Sequence, residues 1–225
     1  MGRAPAGVPV TRRPMRATMR LMPSPQIRLT RPTDAAVRAW LAAQPDSPPP
    51  YPAAGSTRYA PADGARPAGV PHDWNLDHRR VLLGHGEKVY QAARAALWRF
   101  VPLDIGWVQP VTMGDRPILD SRGAMLVHAF GLWWINAWRM VYVDDDIALP
   151  GGGRRSAFAY GTLAAHAERG EERFLVELLP DGTVWYDVLA FSRPHHWLAR
   201  LGGPVTRWLQ LRFGPASVER MREAR

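Results

Sequence analysis

The sequence predicts an α+β fold: a curved antiparallel sheet of about seven strands gripping a long C-terminal helix, with an irregular N-terminal extension. Three observations carry that expectation. Short segments rich in Val, Tyr, Trp and Phe recur between residues 103 and 191, separated by turn residues. Apolar residues at helical spacing flank this run on both sides. Ten tryptophans in 225 residues call for a wide apolar interior or an aromatic-lined pocket.

Taken in order, residues 1–27 read as a basic, disordered extension with five prolines, Pro5, Pro9, Pro14, Pro23 and Pro25. Residues 28–76 hold a short helix and an irregular wrapping segment. Thr33 fits the N-cap, and Val37, Trp40 and Leu41 share one helical face. The prolines of "QPDSPPPYP" stop that helix, and Tyr51, Tyr59 and Trp74 are candidate anchors for the chain that follows. Residues 77–225 form the main domain. "HRRVLLG" (78–84) reads as a strand and "GEKVYQAARAALWRF" (86–100) as a helix with Val89, Ala92, Ala93, Ala96, Leu97 and Phe100 on one stripe.

Six more strands follow. They are "LDIGWVQPV" (103–111), "GAMLVHAF" (123–130), "LWWINAWRMVYV" (132–143), "SAFAYGTL" (156–163), "ERFLVELL" (172–179) and "TVWYDVLAF" (183–191). "PDG" (180–182) is a tight-hairpin signal, and the charged stretch from Ala164 to Gly170 reads as a turn. "DDD" (144–146) reads as a solvated turn. It lacks the spacing of a calcium loop. Ser192 is a candidate cap for a first helical turn over His196–Leu201. From Pro204 onward Val205, Trp208, Leu209, Leu211, Phe213 and Val218 give the last helix its apolar side.

The net charge of +9 is concentrated in the extension. Residues 1–32 carry seven arginines and no acid, so the body is nearly neutral and nucleic-acid binding is not expected. The chain has no cysteine, which excludes disulfides, thiolate metal sites and a cysteine nucleophile. No apolar run is long enough for a transmembrane helix, and Arg12-Arg13 is not followed by a secretory core, so a cytoplasmic protein is expected. "PGGG" (150–153) lacks the Lys-Ser/Thr of a phosphate loop, and no G-x-S-x-G element is present. No cofactor and no metal are expected.

Several stretches in fixed order resemble the YndJ-like family, a bacterial and plant domain of unknown function. They are "YP" (51–52), "GSTR" (55–58), "HRRVLLGHGEKVY" (78–90), "GLWWINAWRMVYV" (131–143), "FAYGTLAAHAERGEERFLVE" (158–177) and "VWYDVLAFSRPHHWLARLGGP" (184–204). The resemblance departs at Ala164-Ala165, where the family usually has Pro-Gly. It brings no established activity. Its strand order looks like that of START/polyketide-cyclase (SRPBCC) proteins, helix-grip domains whose members hold apolar ligands in a central cavity.

The leading expectation is a small, largely apolar or amphipathic ligand held between sheet and C-terminal helix, lined by Trp134, Asn136, Trp138, Tyr160, Asp187 and Trp208. Asn136 sits between two tryptophans and serves either as a polar handle or as a local hydrogen-bonding group. Asp187, set among aromatics, is a structural ion pair with Arg139 or Arg193, a pocket acid, or a solvent-facing group. His166, near Glu168, Glu171 and Glu172, has the composition of a general acid–base pair and also of a hydrated turn. His166 and Asp187 are therefore the catalytic candidates for an enzyme of the cyclase or isomerase type on the same cavity, with Asn136 or Tyr160 as hydrogen-bond donor. The third expectation is a structural or interaction module whose core is filled.

Overall fold

A computed structural model describes residues 26–195 and 203–224. The elements are β1 (Gln26–Arg28), α1 (Asp34–Ala42), β2 (Asn75–His85), α2 (Glu87–Trp98), β3 (Val108–Thr112), β4 (Arg122–Ala129), β5 (Leu132–Ala148), β6 (Arg154–Thr162), β7 (Glu168–Leu178), β8 (Thr183–Pro194) and α3 (Gly203–Glu223). Single 3₁₀ turns lie at Ser56–Tyr59 and Val101–Leu103. The sheet has eight strands, all paired antiparallel, in the order β2-β8-β7-β6-β5-β4-β3, with β1 on β5. Strands β3 to β8 therefore run as consecutive hairpins, and β2 closes the far edge.

Each strand presents alternate residues to opposite faces, and both faces are covered. On one face α2 and α3 pack over Phe158, Phe174, Val176 and Tyr186 to form the main core. On the other face α1 sets Val37 and Leu41 against Leu126, Ile135 and Ala137. Beside α1, Tyr51, Val70 and Trp74 cover Phe191. The two-sided apolar character of β5 reflects this double covering.

Helix α1 begins as its sequence predicts, with the Thr33 hydroxyl accepting from the Ala36 amide at 3.2 Å. Four expectations are corrected. Gln26 and Ile27 belong to β1 rather than to a disordered extension; residues 1–25 lie outside the described residues, as does the predicted turn His196–Leu201. "LDIGWVQPV" is strand only from Val108, because Phe100 takes a left-handed conformation and a 3₁₀ turn follows. The aspartates 144–146 are not a solvated turn. Strand β5 runs on through a bulge there, with Asp144 buried between Arg58 and Arg155. Asp145 pairs with Arg94, and Asp146 with Arg154. Finally, Ser192 lies in β8 rather than capping a helix.

The wrapping segment is tied to the sheet by one carboxylate. Glu171 on β7 accepts from the Tyr51 hydroxyl at 2.9 Å, the Gly55 amide at 2.6 Å and the Thr57 amide at 3.1 Å, and from the Thr57 hydroxyl. Gly161 makes this possible: a side chain there would meet the Tyr51 ring and hydroxyl. Two residues on, Arg173 donates to the carbonyls of Thr57 at 2.7 Å and Ala60 at 3.1 Å, and to Asp187 at 2.7 Å. The irregular backbone of residues 51–60 thus finds partners that no sheet or helix supplies.

Glu171→Ala leaves the Gly55 and Thr57 amides and the Tyr51 hydroxyl without their acceptor. It is expected to cost about 3 kcal/mol in denaturant unfolding. Hydrogen exchange at Gly55 and Thr57 should rise ahead of the rest of the sheet. Unchanged protection of those two amides would refute the clamp.

Candidate functional site

Between the sheet and α3 lies a cavity of about 450 Å³, and most of its lining is apolar. Val127, Trp134 and Val188 contribute from the sheet, Trp107 from the bend before β3, and Leu209 and Phe213 from α3. The space arises because α3 packs tightly only along its second half. Ser217, Val218 and Met221 are buried, and the Ser217 hydroxyl shares a hydrogen bond of 2.6 Å with Tyr186. Gly214 and Pro215, also in the cavity wall, mark the change to the half that spans it. That first half is held at its polar edges: Arg207 by both oxygens of Asp77, and Gln210 by Ser192 and Glu168.

The polar groups of the cavity are few. Strand β7 sends Glu168 and Glu172 inward, along with Phe174 deeper in the core. Glu172 takes a hydrogen bond of 2.5 Å from the Tyr160 hydroxyl. Burial, with Asp77 and Glu168 nearby, pushes the Glu172 carboxyl up to about 8, against the opposing pull of the Tyr160 bond. Burial likewise raises Glu168, although bonds from Ser192 and Gln210 oppose it. The Tyr160 phenol is raised by burial and by Glu172. His166 accepts the Glu168 amide at Nδ1, 3.0 Å away. Burial pushes its imidazole down to about 3, so the ring is neutral at physiological pH.

Of the six lining residues expected from sequence, Trp134, Asn136 and Tyr160 face the cavity, and the catalytic candidate His166 joins them. Asn136 is committed to the following turn: its carbonyl accepts the Ala167 amide at 3.1 Å. Trp138 is placed otherwise. It is 1% exposed and packs in the core between Phe100 and Tyr160, over Gly123. Trp208 lies outside the cavity, 48% exposed, in a shallow depression with Phe130, Pro204 and Val205, and Arg212 stacks on its ring.

Asp187 is the clearest correction. Alternation along β8 turns Val188 toward the cavity and Asp187 to the opposite face, where it meets Arg173 at 2.7 Å, His78 at 2.8 Å and Arg80 at 3.4 Å. Burial alone would raise its carboxyl, but the His78 bond and the Arg173 charge outweigh it and hold the group below the usual carboxylate range. Asp187 is an ion pair, with neither Arg139 nor Arg193 as partner, and not a pocket acid. A filled core is likewise not what the structure has.

A family model described as "Domain of unknown function (DUF1990)" matches residues 51–220. The chain belongs to the DUF1990 family. Among relatives, a UPF0548 protein of Dictyostelium discoideum is 33% identical, covering 68% of this chain and 73% of its own. A UPF0548 protein of Deinococcus radiodurans is 34% identical, covering 80% of this chain and 89% of its own. Among solved structures, the Zhui aromatase/cyclase of Streptomyces sp. R1128 aligns with a TM-score of 0.43 at 9% identity, covering 67% of this chain and 92% of its own. The DUF1990 match begins at Tyr51, the residue that reaches Glu171, so the wrapping segment is within the family domain. No helix among the described residues of this DUF1990 domain is long and apolar enough to cross a membrane.

Glu172 and His166 set opposite pH limbs. The folded state holds the Glu172 proton up to about pH 8, whereas an unfolded glutamate releases it near 4.5. Its contribution is complete below about pH 4.5 and is lost as pH rises to about 8. The folded state protonates His166 only near pH 3, whereas the unfolded chain does so near 6.5, so that contribution is lost as pH falls from 6.5. Unfolding free energies of the wild type should therefore fall from pH 6.5 to 8.5, and Glu172→Gln should flatten that decline. Equal declines in both proteins would refute the assignment to Glu172.

Proposed function

We propose that this domain binds a small, largely apolar molecule in the cavity between the sheet and α3. The observation that carries the reading is an apolar space of about 450 Å³ that retains buried, hydrogen-bonding acids, Glu172 with Tyr160 above all. Its size lies in the range of small-molecule sites, about 300–1,000 Å³. Leaving such a space unfilled forgoes packing in the core, and burying carboxyl groups costs free energy unless something pairs with them. Both costs are offset when a ligand of the right shape occupies the cavity. Trp134, Asn136 and Tyr160 are the lining residues in this reading, and Trp208 stands at its outer margin.

A second reading, an enzyme of the cyclase or isomerase type, is favoured by the same Tyr160–Glu172 pair. A carboxyl group that keeps its proton near neutral pH can deliver it to a bound substrate, and the Tyr160 phenol can steady the charge that develops. In this reading His166, neutral and with Nδ1 taken by the Glu168 amide, offers the cavity its Nε2–H as a hydrogen-bond donor. Asp187 has no part.

Ala190 lines the cavity and Ala190→Phe would fill part of it. The wild type, purified from its own host, should carry a small molecule visible by native mass spectrometry, or show a thermal shift with members of a lipid and polyketide panel. Ala190→Phe should fold and lose either signal. A wild type that carries nothing and shifts with nothing counts against the binding reading, as does full retention of the signal in Ala190→Phe.

A further inference from the structure

The cavity contains acids without matching bases. Asp77 is satisfied, since Arg207 engages both its oxygens. Glu168 and Glu172 take part in no ion pair among the described residues. Glu172 has the Tyr160 hydroxyl, a neutral donor. Glu168 is 9% exposed and lies in the cavity wall. Its Oε2 accepts from Gln210, but its Oε1 is buried with no hydrogen-bond partner.

A buried carboxylate oxygen left bare is costly, about 1–3 kcal/mol or more for a charged group. Gln210, Ser192 and the Glu168 amide that His166 receives fix the Glu168 region in place, so the bare oxygen is held rather than free to turn toward water. Among the described residues the cation that acts on Glu168 is Arg207, and it is committed to Asp77. His166 is no substitute: its neutral ring already spends Nδ1 on the Glu168 amide. What would satisfy Glu168 is a hydrogen-bonding cation beyond those of the described residues. A metal ion is a poor fit, because no group of three metal-ligating side chains is assembled among the described residues. An apolar surround and a single buried, unpartnered carboxylate oxygen suit an organic cation with one charged nitrogen.

We propose that the ligand is an apolar amine, its ammonium received at the free oxygen of Glu168 and its hydrocarbon body lying along Trp134, Val188 and Leu209. Glu172, four residues further along the same face of β7 and still protonated at neutral pH, leaves Glu168 as the acid that meets the head group. This deepens the ligand-binding reading and rests on it.

Three probes of equal length separate the chemistry: decylamine, decanol and decanoate, each titrated by calorimetry at pH 7, with the neutral dye Nile red reporting the cavity itself. Decylamine should bind about tenfold or more tighter than decanol, the worth of one charge-assisted hydrogen bond. Decanoate should bind most weakly. Glu168→Gln should erase the amine's advantage over decanol, Glu168→Asp, which draws the oxygen back, should reduce it if Glu168→Gln folds poorly, and Glu172→Gln, which replaces a group already neutral at pH 7, should keep it. If Nile red binds but decylamine gains nothing over decanol, or keeps its gain in Glu168→Gln, the amine proposal is overturned and the cavity reading stands. If neither Nile red nor any decyl compound binds, both fall.

Discussion

Period-two alternation along β7 is the constraint on which the rest of this structure depends. Between Glu168 and Phe174 the strand carries five charged side chains, and the pleat deals them to opposite faces. Glu171 and Arg173 go to the face covered by the wrapping segment. Glu168 and Glu172 go to the face covered by α3. A slip of one residue would exchange the two sets, leaving the turn at Gly55–Thr57 without its acceptor and setting a guanidinium in the apolar cavity. Register here decides both whether the N-terminal segment can dock and what chemistry the cavity holds.

The two faces differ in how completely their charges are answered. Glu171 accepts from four donors, and Asp187 is met by Arg173, Arg80 and His78. Such pairs rigidify, because removing any member strands the others in a low-dielectric interior. On the cavity face the acids meet hydroxyls and an amide rather than bases, and one oxygen meets nothing. The contrast is within a single strand, so it cannot be put down to a generally loose interior. Helix α3 reproduces it along its own length, with a packed second half fixed at Tyr186 and a first half that only bridges polar edges.

Much of this was legible in the residues and some was not, for physical reasons. Strand segments rich in Trp, Val and Tyr gave the sheet, and hairpin signals gave its antiparallel order, because both are local properties of the chain. Alternation along β5 sets Trp134 and Asn136 on one face, and both border the cavity together with Tyr160 of β6. Glu168 and Glu172 were missed. The charged stretch was read as a turn through Gly170, whereas β7 begins at Glu168; counting back in twos from Phe174 would have turned both acids inward. Asp187 is the ion pair that one of its readings expects, with partners the sequence does not name, and Phe191 on its strand face belongs to the layer under Tyr51 and Trp74. Which face of a two-sided sheet carries the cavity depends on where distant helices pack, and alternation within a strand does not encode it.

The residues that make this chain resemble its family bear mostly on the clamp. Tyr51, Gly55, Thr57, Gly161, Glu171 and Arg173 all fall in the quoted stretches, and all serve the docking of residues 51–60. A clamp of this kind demands particular residue types: a glycine where a ring must lie, a carboxylate where two amides and two hydroxyls converge. A cavity that receives an apolar body demands only volume and hydrophobicity, which many side chains supply equally well. Family membership therefore reports on how the domain holds its N-terminal segment far more than on what it binds. The exceptions are Tyr160, His166, Glu168 and Glu172, which lie in the same stretches but face inward, where the clamp makes no use of them.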